Sequence, residues 1–133
     1  VGKRQSRYDS RTGKTYHCRA FTVKADNSKR QLRKSLYQPT KQITKEVLRY
    51  FNAESLAYLF MDDGYKTEGS YRIATNSFTK ESLHIFNNHC FTTLGISFTV
   101  HNENRLYLPK KYRVIFEKLI TPFIHSTMMY KMH

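Results

Sequence analysis

Acidic residues are scarce in this chain: 10 Asp and Glu stand against 23 Lys and Arg, a formal net charge of +13 with a pI near 9.9. That balance points away from cationic partners and toward an anionic one, either nucleic acid or a membrane surface. Long apolar runs are also missing. None approaches the ~18 consecutive apolar residues that a membrane span needs, and no basic amphipathic segment suits surface anchoring, so nucleic acid is the expected partner. Cysteine is limited to Cys18 and Cys90, too few for a disulfide framework, and no Cys/His spacing resembles a zinc site. A reducing compartment follows. The six histidines are scattered and read as surface or satisfied core residues. Neither a secretory signal nor an initiating Met is present, so Val1 reads as an internal start.

What is present suffices for one core with an appendage: 133 residues, 39% hydrophobic, with 10 Tyr and nine Phe. Charge is uneven. Residues 1–49 hold 14 Lys/Arg and three acids, a surplus of 11, whereas 50–133 hold nine and seven, a surplus of two. The first segment is therefore the electrostatic arm, with Lys3, Arg4, Arg7, Arg11, Lys14 and Arg19 as candidate phosphate contacts.

Residues 8–16 carry turn chemistry between alternating flanks and predict a β-hairpin whose second strand runs on to Val23. A basic, weakly helical stretch follows from Asn27 to Tyr37, with Leu32 and Leu36 at i, i+4, and Pro39 ends it. Residues 1–40 thus form an arm and 41–133 the domain proper. Ile43, Val47, Leu48 and Phe51 mark a second helical side. An apolar helix starts near Glu54, with Leu56, Leu59 and Phe60 on one face, small Ala57, and Gly64 as the expected C-cap. Being apolar nearly all round, it is expected to be buried on every side or pressed against another copy of itself.

Residues 70–78 alternate as a strand, with Arg72, Ala74, Asn76 and Phe78 on one side. Thr79 caps a helix carrying Leu83, Phe86, Cys90 and Leu94 and stopping at Gly95. Residues 96–101 and 105–108 form a hairpin, and Pro109 opens a last helix with Tyr112, Phe116, Leu119 and Ile120 inward, ended by Pro122. Helix, strand, helix, hairpin, helix predicts an α+β layer, helices on one face of an antiparallel sheet. The other face would offer Arg72, Asn76 and Arg105, with Thr99 and His101 beside them, to a partner.

Asp62 and Asp63 close the apolar helix at its C-terminus, where the macrodipole disfavours an anion by roughly 0.3–1 kcal/mol. A bound divalent cation would reverse that sign, which points to metal-assisted chemistry on a polyanion.

The run Leu56-Ala57-Tyr58-Leu59-Phe60-Met61-Asp62-Asp63-Gly64 resembles the motif of the LAGLIDADG homing endonucleases, closest to the branch encoded in organellar introns. Thr75-Asn76-Ser77-Phe78-Thr79-Lys80-Glu81 resembles that family's strand-to-helix junction, Arg105-Leu106-Tyr107-Leu108-Pro109 its last strand, and residues 120–131 its closing segment. The resemblance covers 41–133 and implies a LAGLIDADG-type half-domain with a saddle-shaped antiparallel sheet. It implies Mg²⁺ held by Asp63, with Asp62 second, and basic roles for Lys41 and Lys131 around the reacting phosphate. It also implies a second motif-bearing half-domain, or another protein surface, against Leu56, Ala57, Leu59, Phe60 and Gly64. That half, with its own acid, is expected upstream of Val1. The function implied is double-strand DNA cleavage when the two halves meet, in an organelle, most naturally the mitochondrion. The alternative is a non-catalytic RNA-binding derivative, an intron maturase or a structural protein of an organellar ribosome, which the basic arm would suit.

Overall fold

A computed structural model describes residues 4–19, 24–37 and 41–132. Among these the chain divides into two compact units, Val1–Arg30 and Gln31–His133. The division falls within a helix and not after Thr40, because Leu36 near the end of that helix joins the second unit's apolar side.

The first unit is a two-stranded antiparallel hairpin, β1 (Arg4–Asp9) and β2 (Lys14–Arg19). The Asp9 carbonyl accepts from the N–H groups of Thr12 and Gly13 at 3.2 and 2.9 Å, and its carboxylate accepts from the Arg11 N–H at 3.0 Å. Gly13 takes the left-handed conformation, φ 66°, that closes such a turn without strain. The expected continuation of β2 through residues 20–23 lies outside the described residues. Helix α1 (Asn27–Tyr37) follows, as its sequence predicts.

The second unit carries α2 (Lys45–Leu48) and then α3 (Ala53–Asp63), which opens on a capping box between Asn52 and Ser55. A four-stranded antiparallel sheet, ordered β3 (Gly64–Thr67), β4 (Ser70–Ile73), β6 (Arg105–Leu108), β5 (Thr99–His101), holds one face to the helices. Helix α4 (Lys80–Leu94) is capped by the Thr79 hydroxyl and ends at Gly95 in the left-handed region, φ 71°. Helix α5 (Arg113–Ile120) completes the layer. No helix among the described residues is long and apolar enough to cross a membrane.

The core is aromatic. Phe60 of α3, Tyr71 of β4 and Phe116 of α5 form a triangle with ring centroids 5.3–5.4 Å apart, and Phe98 extends it toward Phe86 of α4. The Tyr71 hydroxyl donates to the Glu117 carboxylate and the Met132 carbonyl, at 2.6 and 2.9 Å. Burial and that carboxylate push its phenol up to about 12. Burial works to raise Glu117, but hydrogen bonds from Arg113 and Tyr71 and the nearby positive charge outweigh it, leaving its carboxyl below its ordinary value of 4.5.

Two expectations need correction. The strand predicted over 70–78 ends at Ile73, because residues 75–78 turn and are pinned by Thr75 Oγ1 donating to the Asn104 carbonyl at 2.6 Å and Asn104 Nδ2 donating to the Phe78 carbonyl at 2.9 Å. Strand β3 was not foreseen: its pairing with β4 closes on the two-residue loop Glu68-Gly69, where Gly69 has φ 76°. Gly64 is the C-cap, as expected, its N–H donating to the Phe60 carbonyl, but it does not take the left-handed conformation. It sits extended at φ −85°, ψ 152°, already pairing with Ile73.

What fixes glycine at 64 is space: a Cβ there would overlap the Phe60 ring and lie 2.5 Å from the Phe60 carbonyl oxygen. Gly64→Ala is therefore expected to lower stability by about 1–3 kcal/mol, read as a shifted urea midpoint at unchanged slope. An unshifted midpoint would mean that Phe60 yields without loss.

Glu117 sets an acid limit. Its lowered folded-state pKa means that the ionised network stabilises the fold at neutral pH, and the contribution is lost as pH falls through the folded value, below 4.5. Glu117→Gln should be less stable at pH 7, with the gap to the parent protein closing on acidification. A pH-independent gap would exclude the linkage.

Candidate functional site

Helix α3 delivers its two acids to the end of the sheet. The Asp63 carbonyl accepts from Ala74 N–H at 2.9 Å, so the helix terminus is tied to the residue just past β4. Both carboxylates are exposed and take no ion pair or hydrogen bond among the described residues. The unfavourable helix pole is met by a protein cation. Lys131 Nζ donates to the Met61 and Asp62 carbonyls, at 2.6 and 3.3 Å, placing an ammonium where the macrodipole is negative. The segment bearing it is docked a second time, His125 N–H donating to Met61 Sδ at 3.4 Å. Lys41 reaches the turn that follows β4. Its Nζ donates to Ser77 Oγ at 3.1 Å and lies 4.4 Å from the Phe78 ring centroid.

Asp62, Asp63 and Lys131 are thus anchored through the backbone at the end of α3, and Lys41 lies on the turn that follows β4. Each carboxylate is of the ligand type that suits a hard divalent cation, although neighbours on a helix point to different sides: Mg²⁺ takes one or two carboxylates and keeps several waters or substrate phosphate oxygens. No group of three or more His, Cys, Asp or Glu that could hold a metal occurs among the described residues, so its remaining ligands would be water, phosphate or another chain's acid.

The sheet's outer face is basic and aromatic. The register places Tyr65, Arg72, Tyr107 and Thr99 in one row across all four strands, with Arg105 beside His101 in the next. Arg72, Arg105, Thr99 and His101 fall together as expected. Asn76 does not share the strand face; it is exposed in the turn after β4. Arg105 is engaged by Glu103 at 2.6 Å. Tyr65 and Tyr107 were missed. Tyr107 alternates with Leu106 and Leu108 and was legible as outward-facing, while Tyr65 belongs to the strand that went unpredicted.

On the hairpin, pairing and two-residue alternation separate the arm's cations: Arg4 and Arg19 share one face, Arg7 and Lys14 the other, and Arg11 sits in the turn 3.7 Å from Asp9. They do not form one patch. Lys3 lies outside the described residues.

The residues expected to meet a second half-domain are largely turned inward. Leu56, Ala57 and Phe60 are fully buried in the chain's own core and Gly64 is buried beneath Phe60, while Leu59 lines an apolar recess of about 160 Å³ with Ile43, Phe51 and Phe78. The exposed side of α3 is Glu54, Tyr58 and Asp62, with Tyr58 60% exposed. Counting Tyr58 as apolar made the helix look oily all round.

Fold and site together define a class: a half-domain in which one helix ends in carboxylates beside an antiparallel sheet with a basic outer face. The chain belongs to the LAGLIDADG DNA endonuclease family, which it matches over residues 2–119. It is 32% identical over 96 residues to the probable intron-encoded endonuclease 1 of Wickerhamomyces canadensis, covering 65% of this chain and 42% of that protein. It is also similar to the solved structure of the homing endonuclease I-WcaI bound to its DNA recognition sequence, with TM-score 0.78 and 25% identity, over 100% of this chain and 64% of the other. The chain therefore spans less than two thirds of either relative's length.

Lys131→Met tests the helix-end contact. Losing a charged donor to two carbonyls should lower stability by roughly 1.5 kcal/mol, and Lys131→Arg should restore most of it. Equal stability in both variants would show that water replaces the ammonium.

Proposed function

We propose that this chain supplies one half of a homing endonuclease that cleaves double-stranded DNA, with the outer sheet face in the major groove. The observation that carries this reading is the exposed, unpartnered carboxylates of Asp63 and Asp62, borne on a helix end whose backbone carbonyls are held by Ala74 and Lys131 at the end of a basic sheet. It is supported by membership of a DNA endonuclease family and by likeness to an enzyme solved on its DNA target. Mg²⁺ held by Asp63, with Asp62 beside it, would polarise a phosphate oxygen and lower the pKa of a bound water.

The chain's own residues do the rest. Side chains on alternate positions of β3 to β6 contact the groove, since residues two apart share a face. Lys131 brings positive charge to the phosphate without leaving its helix-end carbonyls, because an ammonium has three donors and two are used. Lys41, braced by Ser77 and Phe78, brings a second cation that stabilises negative charge developing in the transition state. One carboxylate-bearing helix end addresses one strand, so a second half-domain with its own acid is required for both. It would dock on the Glu54, Tyr58 and Asp62 side of α3. An intron-encoded relative supports a mobile-intron origin, with an organelle, most naturally the mitochondrion, as host.

The test combines the chain with a second motif-bearing half and measures double-strand cleavage of a plasmid library carrying randomised targets, with Mg²⁺ or EDTA. Asp63→Asn is expected to lose at least about a hundredfold in cleavage, comparable to removing one transition-state-stabilising group, while still binding DNA. Cleavage by Asp63→Asn at the parent rate, or full cleavage in EDTA, would refute the assignment.

A further inference from the structure

We infer that Arg72 determines target specificity by reading a guanine base, and that Tyr107 positions its guanidinium for that contact. The inference rests on the outer sheet face being the DNA-binding surface. Arg72 occupies β4, an inner strand, with Tyr65 and Tyr107 as its Cα partners on either side. Its guanidinium carbon lies 5.6 Å from the Tyr107 ring centroid, and Tyr107 is stacked from the β5 side by His101, centroids 4.8 Å apart at 23°. Tyr107 is thus held by its neighbour and in turn gives the guanidinium a wall.

Two further observations mark Arg72 as poised for a ligand. Its Nε is buried and donates to nothing, and no ion pair or hydrogen bond occupies its fork among the described residues. A buried N–H without an acceptor is a costly arrangement unless something else supplies one. Arg105, the other cation on this face, is already taken by Glu103. Position selects the acceptor. Sequence is read by groove-facing side chains that reach base edges, whereas backbone contacts orient the protein without reading it. A residue in the middle of the sheet, between two tyrosines, faces the groove floor. There the rigid guanidinium fork matches the O6 and N7 acceptors of guanine, the best bidentate fit among the base edges.

The experiment uses the chain combined with its second motif-bearing half and selects binders from a randomised duplex DNA pool. The wild type should select a consensus containing at least one fixed guanine. Arg72→Ala should lose preference at that position by roughly 10- to 100-fold, keep the rest of the consensus, and leave the salt dependence of binding unchanged. Arg72→Gln should move the same position from guanine to adenine, since glutamine pairs with the adenine N6 and N7. That gain of preference cannot come from misfolding. Tyr107→Leu should weaken the guanine preference while Arg72 remains. An unaltered consensus in Arg72→Ala and Arg72→Gln would overturn the inference. So would a uniform loss across sequences with the log–log salt slope reduced by about 0.9, the signature of a phosphate contact. A wild-type pool without any consensus would instead refute DNA reading by this face and remove the basis for both.

Discussion

The Phe60 ring occupies the volume that a side chain at residue 64 would need, and the placement of the acids depends on that single close approach. Because residue 64 has no Cβ, α3 can settle directly onto the sheet, with Phe60 meeting Tyr71 and Phe116 edge to face. The chain then leaves the helix in extended conformation and enters β3 without an intervening loop. Asp62 and Asp63 are therefore carried by a helix end welded to sheet on one side and to the residue past β4 on the other. Mutually packed rigid elements hold reactive groups more tightly than a loop can.

Electrostatics at that end is a balance among three elements. The helix pole repels the acids. Lys131 answers the pole through the backbone carbonyls and leaves the carboxylates free of protein partners. A salt bridge to either acid would have satisfied the same charge while blocking it. The network of Tyr71, Glu117 and Arg113 lies under the sheet's other side, where burial raises the Tyr71 phenol and hydrogen bonds from Arg113 and Tyr71 hold the Glu117 carboxyl down.

Helix boundaries were legible wherever a local device wrote them. Asn27–Tyr37 stands as expected, Thr79 and Gly95 bound α4, and the inward faces of α4 and α5 follow their spacing. The acid pair, Lys41 and Lys131 are singled out by motif resemblance; the structure ties Lys131 to the helix end that bears the acids and Lys41 to the turn after β4. What the sequence concealed was decided by tertiary contact. Residues 74–78 alternate like a strand, yet Asn104 and Thr75 fold them into a turn. Residues 64–67 alternate only briefly and are recruited by pairing with β4. The sequence leaves open which way Leu56 and Phe60 of α3 face, since both suit a core or an interface, and the aromatic triangle places Phe60 in the chain's own core.

The contacts that close the site have a consequence for when it can exist. Lys131 and Met61 are separated by 70 residues and Tyr71 and Met132 by 61, so these are among the contacts with the largest loop-closure entropy to overcome. Non-local contacts of this kind slow folding, because loop entropy is lost before they reward it. On a ribosome, the helix with its two acids emerges well before the segment that secures its terminus. The core can thus begin to assemble around Phe60 while the carboxylate end is still unsecured, and the geometry needed for chemistry is completed only once the last turn has been made.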